Sequence, residues 1–506
     1  MLDLGTTLIA AVERDPKATA IVDRKIRLSY AQWWDKICCV ATGLRNIELT
    51  HGDHVVVVLQ NRWEMATFHW ACQLCGIIIT PINWRANPDE VDYVIGDSEA
   101  KAVVFQDVSS HVISQAARTQ NIPRIAVDDS AGSTLGFDDL LSSSPTIDSP
   151  QASADDISLM LYTSGTTGRG KGVPRRHRAE RAAAVAHVAQ NQYGYAETTL
   201  GVMPLYHTMG VRSLLSMALI NGCFVCLPQF DASKALALIA TERVTNLYLV
   251  PTLYHDVLAD DAFSSTDISS VRKLGFAGAP MTDGLLKRLV NAFKPELFVN
   301  HYGSSEIYTF TICPDAPAKP GSAGKAGLNQ RIRVVRIGSE DPNDTVGVGQ
   351  EGEIIAALTS DEAFEGYWRR PDADTKSLHA GWYFTGDIGY VDEDGDLFVT
   401  GRVDDMIISG GENIMPVEIE SILSLHPAVA EVAIVGLADE RLGQKVTAFI
   451  KRRGTVDAAA LDGFCRESDL ANFKRPRQYV FVKQVPKSPV GKILRRLLVA
   501  GEYEAD

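Results

Sequence analysis

The chain has 506 residues, 45% of them hydrophobic and 22% charged; it is longer than one core normally fills and ordinary in composition for a globular protein. A formal net charge of −14 sets the surface against wholesale contact with nucleic acid or anionic membranes, since phosphate repels it. No apolar run approaches a bilayer span, no basic stretch precedes an apolar core at the start, and Glu504-Ala505-Asp506 is no targeting address, so a cytoplasmic protein without a nucleic-acid or membrane partner is expected.

In chain order, Ala31 to Leu44 reads as a helix, Asp53 to Leu59 as a buried strand, Arg62 to Gly76 as a helix, and Ile77 to Asn83 as a strand and turn. Strand–helix–strand alternation predicts a parallel sheet covered on both faces. The pattern returns at Ala102 to Phe105, Ala218 to Leu227 and Leu247 to Pro251, and Ser142 to Ala154 reads as an exposed connection. From Ile332 short strands with turn residues predict a small β-rich subdomain. After Asp404 helix and strand patterns mix again over roughly a hundred residues, as in a compact α+β unit. Eight cysteines are spread along the chain; Cys72/Cys75 and Cys223/Cys226 have zinc-knuckle spacing, but their apolar surroundings favour reduced core thiols.

One stretch organises the rest. The strand-like Ile157 to Met160 leads into Leu161-Tyr162-Thr163-Ser164-Gly165-Thr166-Thr167-Gly168-Arg169-Gly170-Lys171-Gly172. Glycines let backbone N–H groups converge on phosphate oxygens, hydroxyls add donors, and the cations offset charge. A Walker-type loop would need a hydroxyl where Gly172 stands and a helix straight after it. Pro174 instead biases Gly172-Val173 toward extended backbone. Basic residues cluster at Arg169 to Arg181 and Lys474 to Arg496, where a solvated face and a phosphorylated ligand are both open readings.

Five ordered segments resemble those of the adenylate-forming (acyl-CoA synthetase) superfamily, most closely aryl-CoA ligases of the 4-chlorobenzoate type. They are the loop above, Tyr302-Gly303-Ser304-Ser305-Glu306, Trp382 to Asp387, Gly401 to Asp405, and Pro486 to Lys492. Gly170 departs from the family's usual proline. The resemblance implies that Thr163, Ser164, Gly165, Thr166, Thr167, Gly168, Lys171, Tyr302, Gly303, Ser304, Ser305, Asp387 and Arg402 bind ATP. Asp387 would anchor the ribose, Glu306 would hold Mg2+, and Lys492, His207, Glu306 and Thr166 would be catalytic. Ser409, Gly410, Gly411, Phe473, Lys474 and Arg475 would meet coenzyme A, although Leu442 stands where the family's CoA-stacking tryptophan is expected. By analogy of position His207, Thr208, Met209, Tyr248, Gly278, Ala279, Ile307 and Phe310 form an acyl pocket. Their low charge favours an aromatic or alicyclic acid.

The implied fold is α/β: a large domain, 1–402, of parallel-rich sheets covered by helices with the β-rich subdomain, and a small mobile α+β domain, 404–506, hinged at 403–405 about Asp404. The implied function is a carboxylate–CoA ligase that forms an acyl-adenylate from a small-molecule carboxylic acid and ATP, then the thioester with CoA. An amine acceptor without CoA, or a medium-chain fatty acid, is the alternative. A homodimer is left open. Phe230-Asp231-Ala232-Ser233 spells an amino-acid-activating signature, but its place before a helical run makes Asp231 or Ser233 more simply an N-cap.

Overall fold

The computed structural model describes residues 3–128, 132–163, 170–328, 330–402, 405–487 and 493–506. Ser164, Gly165, Thr166, Thr167, Gly168, Asp404 and Lys492 lie outside the described residues, as does the side chain of Asn413.

The predicted alternation is present. Helix Tyr30–Asn46, strand His54–Val58, helix Trp63–Cys75 and strand Ile78–Pro81 follow one another. The valines of His54–Val58 are fully buried, as expected of a strand covered on both faces. This strand lies between Ala102–Phe105 and Ile78–Pro81, parallel to both. Beyond Ile78–Pro81 come Ile157–Thr163 and, antiparallel to it, Lys171–Arg176 at the sheet edge.

A second sheet has fourteen strands among the described residues. Its parallel core runs Leu297–Tyr302, Lys273–Phe276, Asn246–Leu249, Thr198–Gly201, Cys223–Cys226. The short strands after Ile332 form the expected β-rich part: Ile332–Val335, Gly352–Ala357, Trp382–Val391 and Leu397–Arg402 pair antiparallel in that spatial order. Ser322–Ala326 and Thr311–Cys313, also antiparallel, join them to the parallel core. Ala218 and Leu219, read as the start of a strand, end helix Thr208–Leu219, and the strand begins at Cys223. Cys72 and Cys75, on a helix, and Cys226, on a strand, are buried, Cys223 on that strand is half-buried, and burial pushes all four thiols up.

A third, five-stranded sheet uses only residues after 406, with Gly443–Arg452 between Val429–Asp439 and Gln478–Phe481. Leu461 and Cys465 of helix Ala458–Glu467 pack on it, with Ile419 and Leu423 of helix Pro416–Ser424. That second helix also packs against helix Asp283–Phe293: a Cβ on Gly284 would stand 2.8 Å from the Ser424 carbonyl oxygen. Among the described residues no helix is long and apolar enough to cross a membrane. Asp231 caps helix Ala232–Thr241, accepting from Lys234 N–H at 2.9 Å.

Candidate active site

The two strands that flank the glycine-rich stretch pair antiparallel as a hairpin. Thr163 pairs with Lys171 across Ile157–Thr163 and Lys171–Arg176, and helix His177–Gln190 starts only after the second strand. That order is not the strand–loop–helix of a Walker fold. Gly170 sits where a Cβ would lie 2.8 Å from the Thr163 carbonyl oxygen, so the close pairing at the loop's base admits no side chain there. Tyr93 Oη donates to the Gly170 carbonyl at 2.9 Å.

Lys171 places its ammonium 3.8 Å from the centre of the Tyr367 ring. Burial pushes this lysine below its usual pKa, and Glu306 opposes the shift. The Glu306 carboxylate, itself buried, accepts from Tyr367 Oη at 2.7 Å. Lys171, Tyr367 and Glu306, far apart in sequence, thus meet at the mouth of the hairpin. Ser304 shapes the turn before Glu306: its Oγ accepts from Glu306 N–H at 3.2 Å, and its own N–H donates to the Ile307 carbonyl at 2.9 Å. Gly303 is exposed at the end of the strand, and Ser305 is half-buried. A magnesium ion that bridges phosphates takes one or two carboxylates and keeps water on its other positions. Glu306, oriented by one hydrogen bond and with lone pairs to spare, fits that demand.

A second cluster lies beside the first. Tyr302 Oη donates to Asp387 Oδ2 at 2.6 Å, and Arg402 Nη1 donates to Asp387 Oδ1 at 2.8 Å. Asp387 and Arg402 face each other across strands Trp382–Val391 and Leu397–Arg402. Asp387 is thus a carboxylate held by a phenol on one oxygen and a guanidinium on the other.

His207 opens helix Thr208–Leu219, and its Nδ1 accepts from Met209 N–H at 3.4 Å. That bond leaves the proton on Nε2, which makes the outer nitrogen a donor. Asn61 fixes the approach to this helix start. Its amide donates to the Gly201 and Met203 carbonyls at 3.1 and 2.6 Å and accepts from Leu205 N–H at 2.9 Å.

The expected acyl-pocket residues divide. Met209 and Tyr248 share one buried cluster, and a Cβ on Gly278 would lie 3.9 Å from Met209 Sδ, with Ala279 next in the chain. Ile307 and Phe310 do not join them. Both are fully buried with Val173, Phe364, Tyr367 and Tyr383, beneath Glu306. The chain turns at Ser304, so side-chain parity after the turn differs from that along Leu297–Tyr302.

The expected CoA residues occupy two segments of the third sheet's unit. Gly410 and Gly411 form the tip between Ile407–Ser409 and Glu412–Ile414, with φ of 62° and 87°; a two-residue turn with both φ positive favours glycine at each place. Ser409 pairs with Glu412, and Gly410 N–H donates to the Leu442 carbonyl at 2.8 Å. Phe473 is exposed, Lys474 is held by Glu418 at 2.6 Å and Arg475 by Asp462 at 2.7 Å. Lys487 and Ile493, on either side of 488–492, pair with each other, and Arg495 binds Glu420 at 2.7 Å.

Much of the first basic cluster is consumed within the protein. Arg176 and Arg178 pair with Glu365. Arg175 is fully buried: it binds Glu180 at 2.8 Å and donates to the Glu306 carbonyl at 2.8 Å. Arg175, Asn61 and Tyr367 were not singled out from sequence, because each acts through a partner distant along the chain.

The glycine- and hydroxyl-rich connection between Ile157–Thr163 and Lys171–Arg176, the Lys171–Tyr367–Glu306 meeting at its base and the Tyr302–Asp387–Arg402 cluster together form the candidate active site. Residues 8–368 match the model of the AMP-binding enzyme family and residues 418–492 that of the AMP-binding enzyme C-terminal domain. A 4-chlorobenzoate–CoA ligase from an Arthrobacter species is 33% identical over 98% of this chain and 95% of its own length. A long-chain-fatty-acid–CoA ligase from Mycobacterium tuberculosis is 31% identical, covering 98% of each. The solved structure of an anthranilate CoA ligase in complex with anthranoyl-AMP superposes with a TM-score of 0.90 at 25% identity, over 99% of this chain and 97% of that one. The chain belongs to the AMP-binding, adenylate-forming enzyme family, as an ATP-dependent acyl-CoA synthetase.

Proposed function

We propose that the protein ligates an aromatic or alicyclic carboxylic acid to coenzyme A in two steps. ATP and the acid first give the acyl-adenylate and pyrophosphate, and CoA then displaces AMP to form the thioester. The observation that carries this reading is the meeting of Lys171, Tyr367 and Glu306 at the base of the hairpin, beside the Tyr302–Asp387–Arg402 cluster. Phosphate donors, a cation-binding carboxylate and a ribose acceptor then lie along one nucleotide.

The substrate carboxylate oxygen bonds to the α-phosphorus as the bond to pyrophosphate breaks. Charge grows on the α-phosphate oxygens, where fixed donors lower the barrier most. Thr163 to Gly168 and Lys171 hold the triphosphate, with Gly303, Ser304 and Ser305 near its inner end; Thr166 and Lys492 face the transferred charge. His207, with its proton on Nε2, orients the carboxylate. When bound at Glu306, Mg2+ neutralises phosphate charge. The large unit, 1–402, carries this step. The small one, 404–506, turns about Asp404, withdraws Lys492 and brings in the turn of Ser409, Gly410 and Gly411, with Phe473, Lys474 and Arg475 on the CoA nucleotide. One site then serves two transition states, and the mixed anhydride is kept from water.

Pyrophosphate release over a panel of aryl, alicyclic and fatty acids, with and without CoA, tests the reading. AMP and thioester with ring acids are expected. Release only with fatty acids, or acyl transfer only to amines, would replace it. Lys492→Ala should slow adenylation on the order of a hundredfold or more, while thioester formation from supplied acyl-AMP persists.

A further inference from the structure

Three buried polar residues take no part in the steps above. His187, Arg212 and His301 are 0%, 2% and 2% exposed and gather around Tyr248. The His187 ring centre is 4.7 Å from that of Tyr248 and 5.1 Å from that of His301, and Tyr248 and His301 are 4.9 Å apart. The Arg212 guanidinium lies 5.2 Å from the Tyr248 ring centre and bonds the Tyr248 hydroxyl; its Nη1 donates to Thr309 Oγ1 at 2.9 Å. The cluster is built on elements that also carry residues of the proposed acyl site. Arg212 is on the helix that His207 caps, and His301 immediately precedes Tyr302 on its strand.

Asn191 fixes the histidine tautomers. Its Nδ2 donates to the His187 carbonyl at 2.8 Å, an acceptor only, so that atom is the nitrogen. The same Nδ2 is 3.0 Å from His187 Nδ1, which must therefore accept, and its Oδ1 is 3.0 Å from His301 Nε2, which must donate. Burial pushes both rings well below their usual pKa, and the Arg212 charge adds to the shift, so both are neutral. What remains is a donor on His187 Nε2, a donor on Arg212 Nε and an acceptor on His301 Nδ1. Each of the three atoms is buried without a hydrogen-bond partner among the described residues. Buried polar atoms are rarely left so.

We propose that these three atoms receive a hydroxyl on the substrate's ring, remote from its carboxylate, so that the acid is a hydroxylated aromatic or alicyclic one. A hydroxyl accepts from N–H donors and donates to a lone pair at once. A chlorine or methyl group leaves all three atoms unmatched. A second carboxylate has no proton for His301 Nδ1. His187, Arg212 and His301 are then specificity-determining residues, and Tyr248 is the wall between them. The inference rests on the acyl-CoA synthetase reading and deepens it.

The experiment compares kcat/KM for AMP formation by the full-length protein with benzoate, 4-chlorobenzoate, 3- and 4-hydroxybenzoate, 4-hydroxycyclohexanecarboxylate and terephthalate. A site built around a hydroxyl rejects the analogue lacking it strongly, so at least one hydroxy acid should exceed its unsubstituted parent by on the order of a hundredfold. His187→Phe and His301→Leu should collapse that ratio. His301→Asn, which keeps an acceptor near the Nδ1 position, should retain most of it and control for folding. The inference is overturned if benzoate or 4-chlorobenzoate equals or exceeds every hydroxy acid, if terephthalate is preferred, or if the ratio is the same in parent, His187→Phe and His301→Leu. In those cases the ligase reading stands; AMP formation with no acid of any class removes both.

Discussion

Replacing Arg175 with Met tests whether the turn bearing Glu306 is held from behind by a buried ion pair. Arg175 and Glu180 are both fully buried, 2.8 Å apart, and the other Glu180 oxygen accepts from Tyr308 Oη at 3.1 Å. The guanidinium stacks 4.1 Å from the Tyr308 ring centre and donates to the Glu306 carbonyl. Removing one partner of a buried pair strands the other charge and costs about 3–5 kcal/mol, roughly 5–15 °C in the melting of the large unit. Burial already raises the Glu180 carboxyl and Arg175 opposes it, so in the variant Glu180 takes a proton and the loss deepens as pH rises. Arg175→Met with Glu180→Met removes both charges, and apolar replacement of a whole buried pair is often neutral. The double variant should therefore recover most of the melting temperature. Its AMP formation should stay low, because among the described residues the Glu306 carbonyl keeps only the Phe364 N–H, at 2.9 Å. Differential scanning fluorimetry and a pyrophosphate assay on the three proteins decide the matter. If single and double variants melt within a degree of each other, the pair is not coupled and the reasoning fails.

Tyr367→Phe deletes the 2.7 Å hydrogen bond to Glu306; a bond to a charged group is worth about 1.5–3 kcal/mol, to be read as a higher KM for magnesium-ATP. Asp387→Asn breaks the 2.8 Å pair with Arg402 and should weaken AMP binding by calorimetry about tenfold or more, with little change in the affinity for the acid. Gly170→Ala brings a Cβ within 2.8 Å of the Thr163 carbonyl oxygen, so ATP affinity should fall while the melting temperature moves by only a few degrees. Glu362, 2% exposed, has its pKa pushed by burial from 4.5 to about 7, with Arg212 opposing. Its folded pKa is the higher one, so its contribution is fully present below about pH 4.5 and lost as pH rises through about 7, by about 3 kcal/mol. Urea unfolding of Glu362→Gln across that range should show a flatter stability profile than the parent.

What could be read from sequence was local. Pro174 and Gly172 announced the extended segment after the phosphate loop, and it forms the edge strand Lys171–Arg176. The apolar valines announced His54–Val58, and Asp231 announced its cap. Pairing across a short hairpin was also within reach: Asp387 and Arg402 flank the turn at Asp392–Asp396 and meet across it. The small unit's helices Pro416–Ser424 and Ala458–Glu467 carry their own start signals, a proline at the first turn and Asp457 as a cap.

What escaped depends on sheet order and on parity. Helix His177–Gln190 precedes the strand bearing Tyr248, yet their side chains meet because Asn246–Leu249, Lys273–Phe276 and Leu297–Tyr302 lie side by side, with His187 over their ends. No period in the sequence carries that information. Parity bears on Ile307 and Phe310, which were named for the acyl pocket by analogy of position. They follow the turn at Ser304 and pack with Val173, Phe364, Tyr367 and Tyr383, whereas Met209 and Tyr248 belong to another buried cluster. His301, still on the strand before that turn, sets its ring 4.9 Å from that of Tyr248. Under the hydroxyl-recognition proposal, the choice of acid would therefore turn on matching buried hydrogen-bonding groups beside Tyr248 rather than on apolar area alone.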